Sequence, residues 1–221
     1  MNRMRIAARV TRAAGIAAVL YALPLQAQQM DGMKMDAMKN KPMSQADMAR
    51  MEPMMRGWPK ASRDAVAYMT SKYGAPMHVN EQMAMWGATG QWKRTIVYNY
   101  EVKHDFPAPH TDVMQQWVDY RVPVSKYDDL AMYDGSVVPE RTNGEMSARC
   151  DKEGANFLAI NLAHEIATGK RTAMQARGKY AEQIKAMMAM RPAPYTERIM
   201  FTPMMMSRTM DPDRPAAGMI K

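Results

Sequence analysis

The chain has one cysteine, three phenylalanines and four histidines among 221 residues, and each scarcity removes a class of explanation. With Cys150 alone, no internal disulfide can form. No cysteine lies near residue 27, so a lipid-anchored lipoprotein is not indicated. Beyond residue 27 the only leucines are Leu130, Leu158 and Leu162, and no apolar run there approaches the roughly 18–20 residues of a membrane span. Between Gln28 and Gly57 there is no Leu, Ile, Val, Phe, Tyr or Trp. Such a stretch cannot offset the entropy of ordering with varied apolar burial, which predicts a flexible tail. The familiar enzyme signatures are also missing. There is no Gly-x-Ser-x-Gly, no His-Glu-x-x-His and no dinucleotide fingerprint, and Lys170 after Gly169 lacks the upstream glycine of a phosphate loop. The chain does not read as an enzyme.

What is present begins with a secretion signal. Arg3, Arg5, Arg9 and Arg12 form a basic start, Ala13 to Leu23 an apolar run, and Leu25-Gln26-Ala27 a small-residue cleavage point. Residues 1–27 therefore read as a cleaved signal peptide, and the protein as periplasmic or secreted. The formal net charge is +8, and half of it belongs to those four arginines. Export and the smaller remaining charge argue against nucleic acid as a partner. An envelope protein is a possible partner, and no transmembrane segment remains after cleavage.

The periodicities predict one α+β domain over residues 58–203, flanked by tails at 28–57 and 204–221. Ser44 and Asp47 suggest a short helix that Pro53 interrupts. Ala65, Val66, Met69 and Tyr73 share one face of a helix after Pro59. Ile96, Tyr98, Tyr100 and Val102 alternate, as do Met114, Val118, Tyr120 and Val122, predicting a hairpin with a long loop. Ser125 and Asp128 start a short helix through about Tyr133. Asn143-Gly144 marks a second, tight hairpin. Asp151 and Thr172 are expected N-caps of two later helices, and Tyr195–Phe201 a last strand. Clustered strands and helices predict a four- or five-stranded antiparallel sheet with helices packed on one face.

Methionine is the unusual abundance: there are 28, and nine of them (Met30, Met33, Met35, Met38, Met43, Met48, Met51, Met54 and Met55) fall in residues 30–55. Met-x-x-Met and Met-x-Met spacings on a flexible backbone can gather two or three thioethers about one soft ion, which suits copper(I). The run Met30-Asp31-Gly32-Met33-Lys34-Met35-Asp36-Ala37-Met38 resembles the Met-rich repeats of periplasmic copper-resistance proteins. That resemblance implies copper(I) or silver(I) binding, as a buffer or carrier, by Met30, Met33, Met35, Met38 and Met43. Those repeats often carry histidine, and this tail has none, which removes copper(II) capacity. The plain alternatives are oxidant scavenging, chain-wide use of Met where Leu would serve, and a helix docking through Met48, Met51 and Met55.

A second constellation is the loop bearing His104, Asp105, His110 and Asp112, stiffened by Pro107 and Pro109. His104 and His110 are candidate metal ligands for zinc or copper(II), and the carboxylates could also do acid–base work. The plain reading is a polar loop, with Asp112 merely starting the next strand. Cys150 before Asp151, with His164 in the following helix, has the chain order of a thiol hydrolase, but the two lie too far apart along one helix. Burial is the expected fate of the thiol, and His164 reads as a core residue. Trp58, Trp86, Trp92 and Trp117 read as core anchors. The functions carried forward are a soft-metal buffer or carrier, a periplasmic binding module with incidental methionines, and a metal-dependent hydrolase built on the His104–Asp112 loop.

Overall fold

A computed structural model describes residues 45–204 and the isolated positions 209, 211, 213 and 216. Met30, Met33, Met35, Met38 and Met43 lie outside the described residues, as does the region assigned to the signal peptide.

Two helices come first, α1 (Gln45–Met55) and α2 (Lys60–Tyr73). Helix α1 runs through Pro53 rather than stopping there. A proline removes one hydrogen bond and crowds the preceding turn, but packing offsets that cost. Met51 is buried and Met55 half-buried against the same apolar cluster as Met69 and Trp86. This part of the expected tail is thus helical, and Met51 serves the core. Ser62, Ala65, Val66 and Met69 form the buried stripe of α2, the three-and-four spacing of an amphipathic helix.

The sheet has six strands, β1 (His78–Val79), β2 (Met83–Trp86), β3 (Arg94–His104), β4 (His110–Asp119), β5 (Val138–Glu140) and β6 (Glu145–Cys150). They are ordered β1-β2-β3-β4-β6-β5, and every pair is antiparallel. The architecture is α+β as expected, with six strands in place of four or five. Strand β2 escapes a propensity reading because Met83-Ala84-Met85-Trp86 carries no β-branched residue, and β1 is only two residues long. Ala84 and Trp86 are nonetheless fully buried.

Helices cover one face of the sheet. Helix α3 (Tyr127–Tyr133) follows a single 3₁₀ turn, and α4 (Glu153–Ala167) and α5 (Ala173–Met188) follow β6. Met69 of α2 and Asn156 of α4 both reach Gln116 of β4, at 4.0 and 3.0 Å, so both helices lie on the same side. Along β4 the residues Asp112, Met114, Gln116 and Val118 point to that side and are buried. Ile96 and Tyr98 share the opposite face with Gln115 and are only half-buried, and Tyr100 is exposed. The core takes Thr95 and Val97 instead. A register shift between Val97 and Val102 then re-aims the end of β3.

Helix α4 is buried all round, with Leu158, Ile160, Leu162 and Ile166 fully enclosed. It starts at Glu153 with Lys152 at the N-cap and no side-chain cap, so Asp151 does not hold that position. Thr172 does cap α5, in a reciprocal box with Gln175. The hairpin at Asn143-Gly144 forms with Glu140 opposite Glu145, so its loop has four residues rather than two. Gly144 sits at φ 62°, and a Cβ there would lie 2.1 Å from the carbonyl oxygen of Thr209. Only glycine fits both conditions.

The strand expected over Tyr195–Phe201 is absent. Pro194–Thr196 is a 3₁₀ turn, and two side-chain amides do the work of a partner strand. Asn161 donates to Tyr195 O (3.1 Å) and Arg198 O (2.8 Å) and accepts from Met200 N (2.7 Å). Gln91 accepts from Ile199 N (2.9 Å) and donates to its carbonyl (3.0 Å). Among the described residues no helix is long and apolar enough to cross a membrane.

Candidate metal centre

His104 ends β3 and His110 begins β4, and the two are direct cross-strand partners. The intervening residues, 105–109, contain a cis Phe106–Pro107 bond. Both histidines therefore stand on paired strand ends rather than in the loop, and their ring centroids are 4.9 Å apart. Asp112 lies two residues beyond His110, on the same face by strand alternation, and is 1% exposed. Ligand atoms of His104, His110 and Asp112 all lie within 4.8 Å of one another, the one such group among the described residues. Asp105 is exposed and takes no part.

The hydrogen bonds fix the orientation of each group. His110 Nδ1 donates to Ala108 O at 2.9 Å, which turns Nε2 inward. A backbone carbonyl on the far nitrogen is the usual support of a metal-binding imidazole. Nε2 stands 3.1 Å from Asp112 Oδ1, yet Oδ1 is buried and makes no hydrogen bond of acceptable geometry. The other carboxylate oxygen, Oδ2, accepts from Ser136 Oγ and lies 3.3 Å from His104 Nδ1. Ser136 Oγ is itself 3.3 Å from His104 Nδ1. Asp134 Oδ1 stands 3.8 Å from His104 Nε2 and accepts from Ser136 N at 2.8 Å.

The electrostatics follow from this crowding. Asp112 and then Cys150 push His110 up to about 11, far above an ordinary imidazole. Burial alone would raise Asp112, but His110, Ser136 and His104 outweigh it and hold the carboxyl below its usual range. Burial raises Asp134. Without an ion, a proton on His110 balances the Asp112 charge.

Cys150 closes the site from β6. Its thiol is buried, and that burial pushes its pKa up, partly countered by His110. Cys150 and His110 both line a cavity of about 290 Å³ beneath α5. His164 is nowhere near this thiol: it bonds Tyr120 Oη at 2.8 Å and stacks on Phe201 at 4.3 Å. It is a satisfied core histidine, and no thiol–imidazole pair forms with it.

A second buried carboxylate offers a contrast. Glu153, 2% exposed, accepts from Tyr68 Oη (2.6 Å), Tyr73 Oη (2.7 Å) and Trp92 Nε1 (2.9 Å), and pairs with Lys72. Gln116 Nε2 approaches at 3.5 Å. Burial would raise its pKa, but Lys72, Tyr68 and Tyr73 overcome this and lower it. Of the other residues singled out from sequence, Trp58, Trp86 and Trp92 are core anchors, and Trp117 is half-buried under Arg94. Ser136 and Asp134 carried no sequence signal, because they reach the histidines only through the connection that returns the chain to β5. No protein-family model, curated protein or solved structure matches this chain.

Proposed function

We propose that this chain is an exported metal-handling protein whose centre, His104, His110 and Asp112, takes copper(II) or zinc. The observation that carries the proposal is the buried gap between His110 Nε2 and Asp112 Oδ1. With Nδ1 donating to Ala108, a neutral His110 turns a lone pair toward a carboxylate oxygen that has no hydrogen bond. Two such donors 3.1 Å apart repel unless a proton or a metal cation lies between them, and a metal can replace that proton. Ligands bound tetrahedrally at about 2.0–2.1 Å stand about 3.3 Å apart. The His110–Asp112 Oδ1 separation, 3.1 Å, is close to that edge, and His104 Nδ1 stands 3.3 Å from the other carboxylate oxygen, within reach of the same ion. Two imidazoles and one carboxylate suit borderline divalent ions better than magnesium or calcium.

The same proposal assigns copper(I) or silver(I) buffering to the methionines at 30–43, supported by their spacing and by the absence of other large apolar residues there. A metal-dependent hydrolase is the second reading, favoured by the 290 Å³ cavity at His110, where an ion with three protein ligands keeps a position for water.

The test is a competition titration of the signal-cleaved chain with zinc and copper(II) against a chromophoric chelator. One equivalent should bind with submicromolar affinity, and His104→Ala/His110→Ala should abolish it. Equal binding by that variant would overturn the centre. Deleting residues 28–43 should reduce copper(I) stoichiometry alone. Turnover of ester or phosphoester substrates by the zinc form would move the conclusion to the second reading.

A further inference from the structure

We propose that the cavity beneath α5 is a separate soft-ion site, in which Cys150, Met187 and Met188 take copper(I) or silver(I) beside His110. This goes beyond the divalent centre and does not require it. The cavity, about 290 Å³, is walled by apolar groups such as Tyr180 and Ile184, but four of its lining residues carry soft or borderline donors. Cys150 supplies sulfur from β6 and Met187 and Met188 thioethers from the last turn of α5, while His110 lines the cavity with both nitrogens engaged, Nδ1 with Ala108 and Nε2 toward Asp112. Two elements, β6 and α5, thus place sulfur donors on one void.

The two methionines are poorly explained as packing. Met187 is 36% and Met188 78% exposed, so neither gains the full benefit of burial. A thiol with thioether neighbours is a donor set for monovalent copper or silver, and it disfavours calcium and magnesium. The carbonyl end of α5 adds partial negative charge where a cation would rest. On binding, the Cys150 thiol releases its proton to solvent and the ion takes its place on sulfur.

Cys150 is the only cysteine in the chain, so a thiolate-to-silver absorption band reports this cavity and no other site, the methionine tail included. The experiment titrates the reduced full chain with silver(I), and anaerobically with copper(I), at free-ion levels set by a competing ligand. The band should saturate at one equivalent. Met187→Leu/Met188→Leu should weaken that binding at least about tenfold while leaving zinc affinity unchanged. His104→Ala should lose zinc and keep the silver band, which separates failure of this site from failure of the divalent centre. Both methionines are exposed enough for leucine to leave the fold intact. In the unsubstituted chain, methyl resonances of Met187 and Met188 should shift with the same equivalent of silver. Absence of the band at one equivalent, wild-type affinity in the double variant, unmoved methyl resonances, or loss of the band in His104→Ala would each overturn the proposal.

Discussion

Two carboxylates are buried under the same sheet, and their surroundings differ in kind. Glu153 is met by tyrosine, tryptophan and lysine donors on both oxygens. Asp112 has Ser136 on one oxygen and, on the other, a histidine that approaches without a hydrogen bond. A satisfied network of the first kind locks α2 to α4 and to the Trp92 segment. A half-satisfied one is costly unless something completes it. Burial alone does not distinguish the two carboxylates. Completeness of hydrogen bonding does.

The sharpest way to break the comparison is Glu153→Ala. It strands two tyrosines, a tryptophan N–H and Lys72 at once, and should cost about 3–5 kcal/mol in urea unfolding, with zinc stoichiometry unchanged. Lys72 is partly exposed and can be rehydrated, which favours the lower end. Asp112→Asn should behave in the opposite way. The amide can donate to a neutral His110, trading the buried ion pair for a neutral hydrogen bond, so the ion-free protein should lose about 1–3 kcal/mol. Zinc affinity, read by chelator competition, should fall roughly a hundredfold, about 2.7 kcal/mol.

Acid sharpens the contrast further. The Glu153 carboxyl titrates below its ordinary 4.5 in the folded state. Its contribution is therefore present above about pH 4.5 and is lost as pH falls through the lower folded value. Urea midpoints taken from pH 6 to pH 3 should decline over that limb, and Glu153→Gln should flatten it. An unchanged slope in the variant would assign the acid loss elsewhere. The smallest effect belongs to Tyr68→Phe, which removes one of several donors from a group that keeps the others. About 1 kcal/mol is expected, and a neutral result would show that Lys72 and Tyr73 suffice.

Much of the frame was legible in the residues. Val118, Tyr120 and Val122 declared a buried face by simple alternation, and Thr172 announced the start of α5. His104 and His110 stood out as metal-binding types on the two sides of a predicted reversal. What stayed hidden depends on contacts distant in the chain. Asp112 was legible as a carboxylate beside the two histidines, but its burial under Ser136 and His104, while Asp105 stays exposed, was not. Glu153 reads as a helix-start acid, and nothing local tells that Tyr68 and Trp92 will point at it. Met51 sat in a stretch without other large apolar residues, so composition placed it in a tail. Its burial shows that methionine alone can dock a helix. The missing last strand failed for a related reason. Backbone groups near Tyr195 and Ile199 are claimed by the amides of Asn161 and Gln91, and alternation cannot foresee a side chain standing in for a strand.

The facing of His104 and His110 across one hairpin also bears on the order in which the protein folds. Three donors lie within residues 104–112, and a hairpin closes in about 1–10 μs. Cys150 reaches them only when β6 docks on β4, a pairing far longer in sequence that is slower to form. The His–Asp trio is thus expected to exist before the domain around it does. A nascent chain meeting metal at that stage would be templated by it, so the rate of refolding, and not only the final stability, should depend on whether zinc is in the buffer.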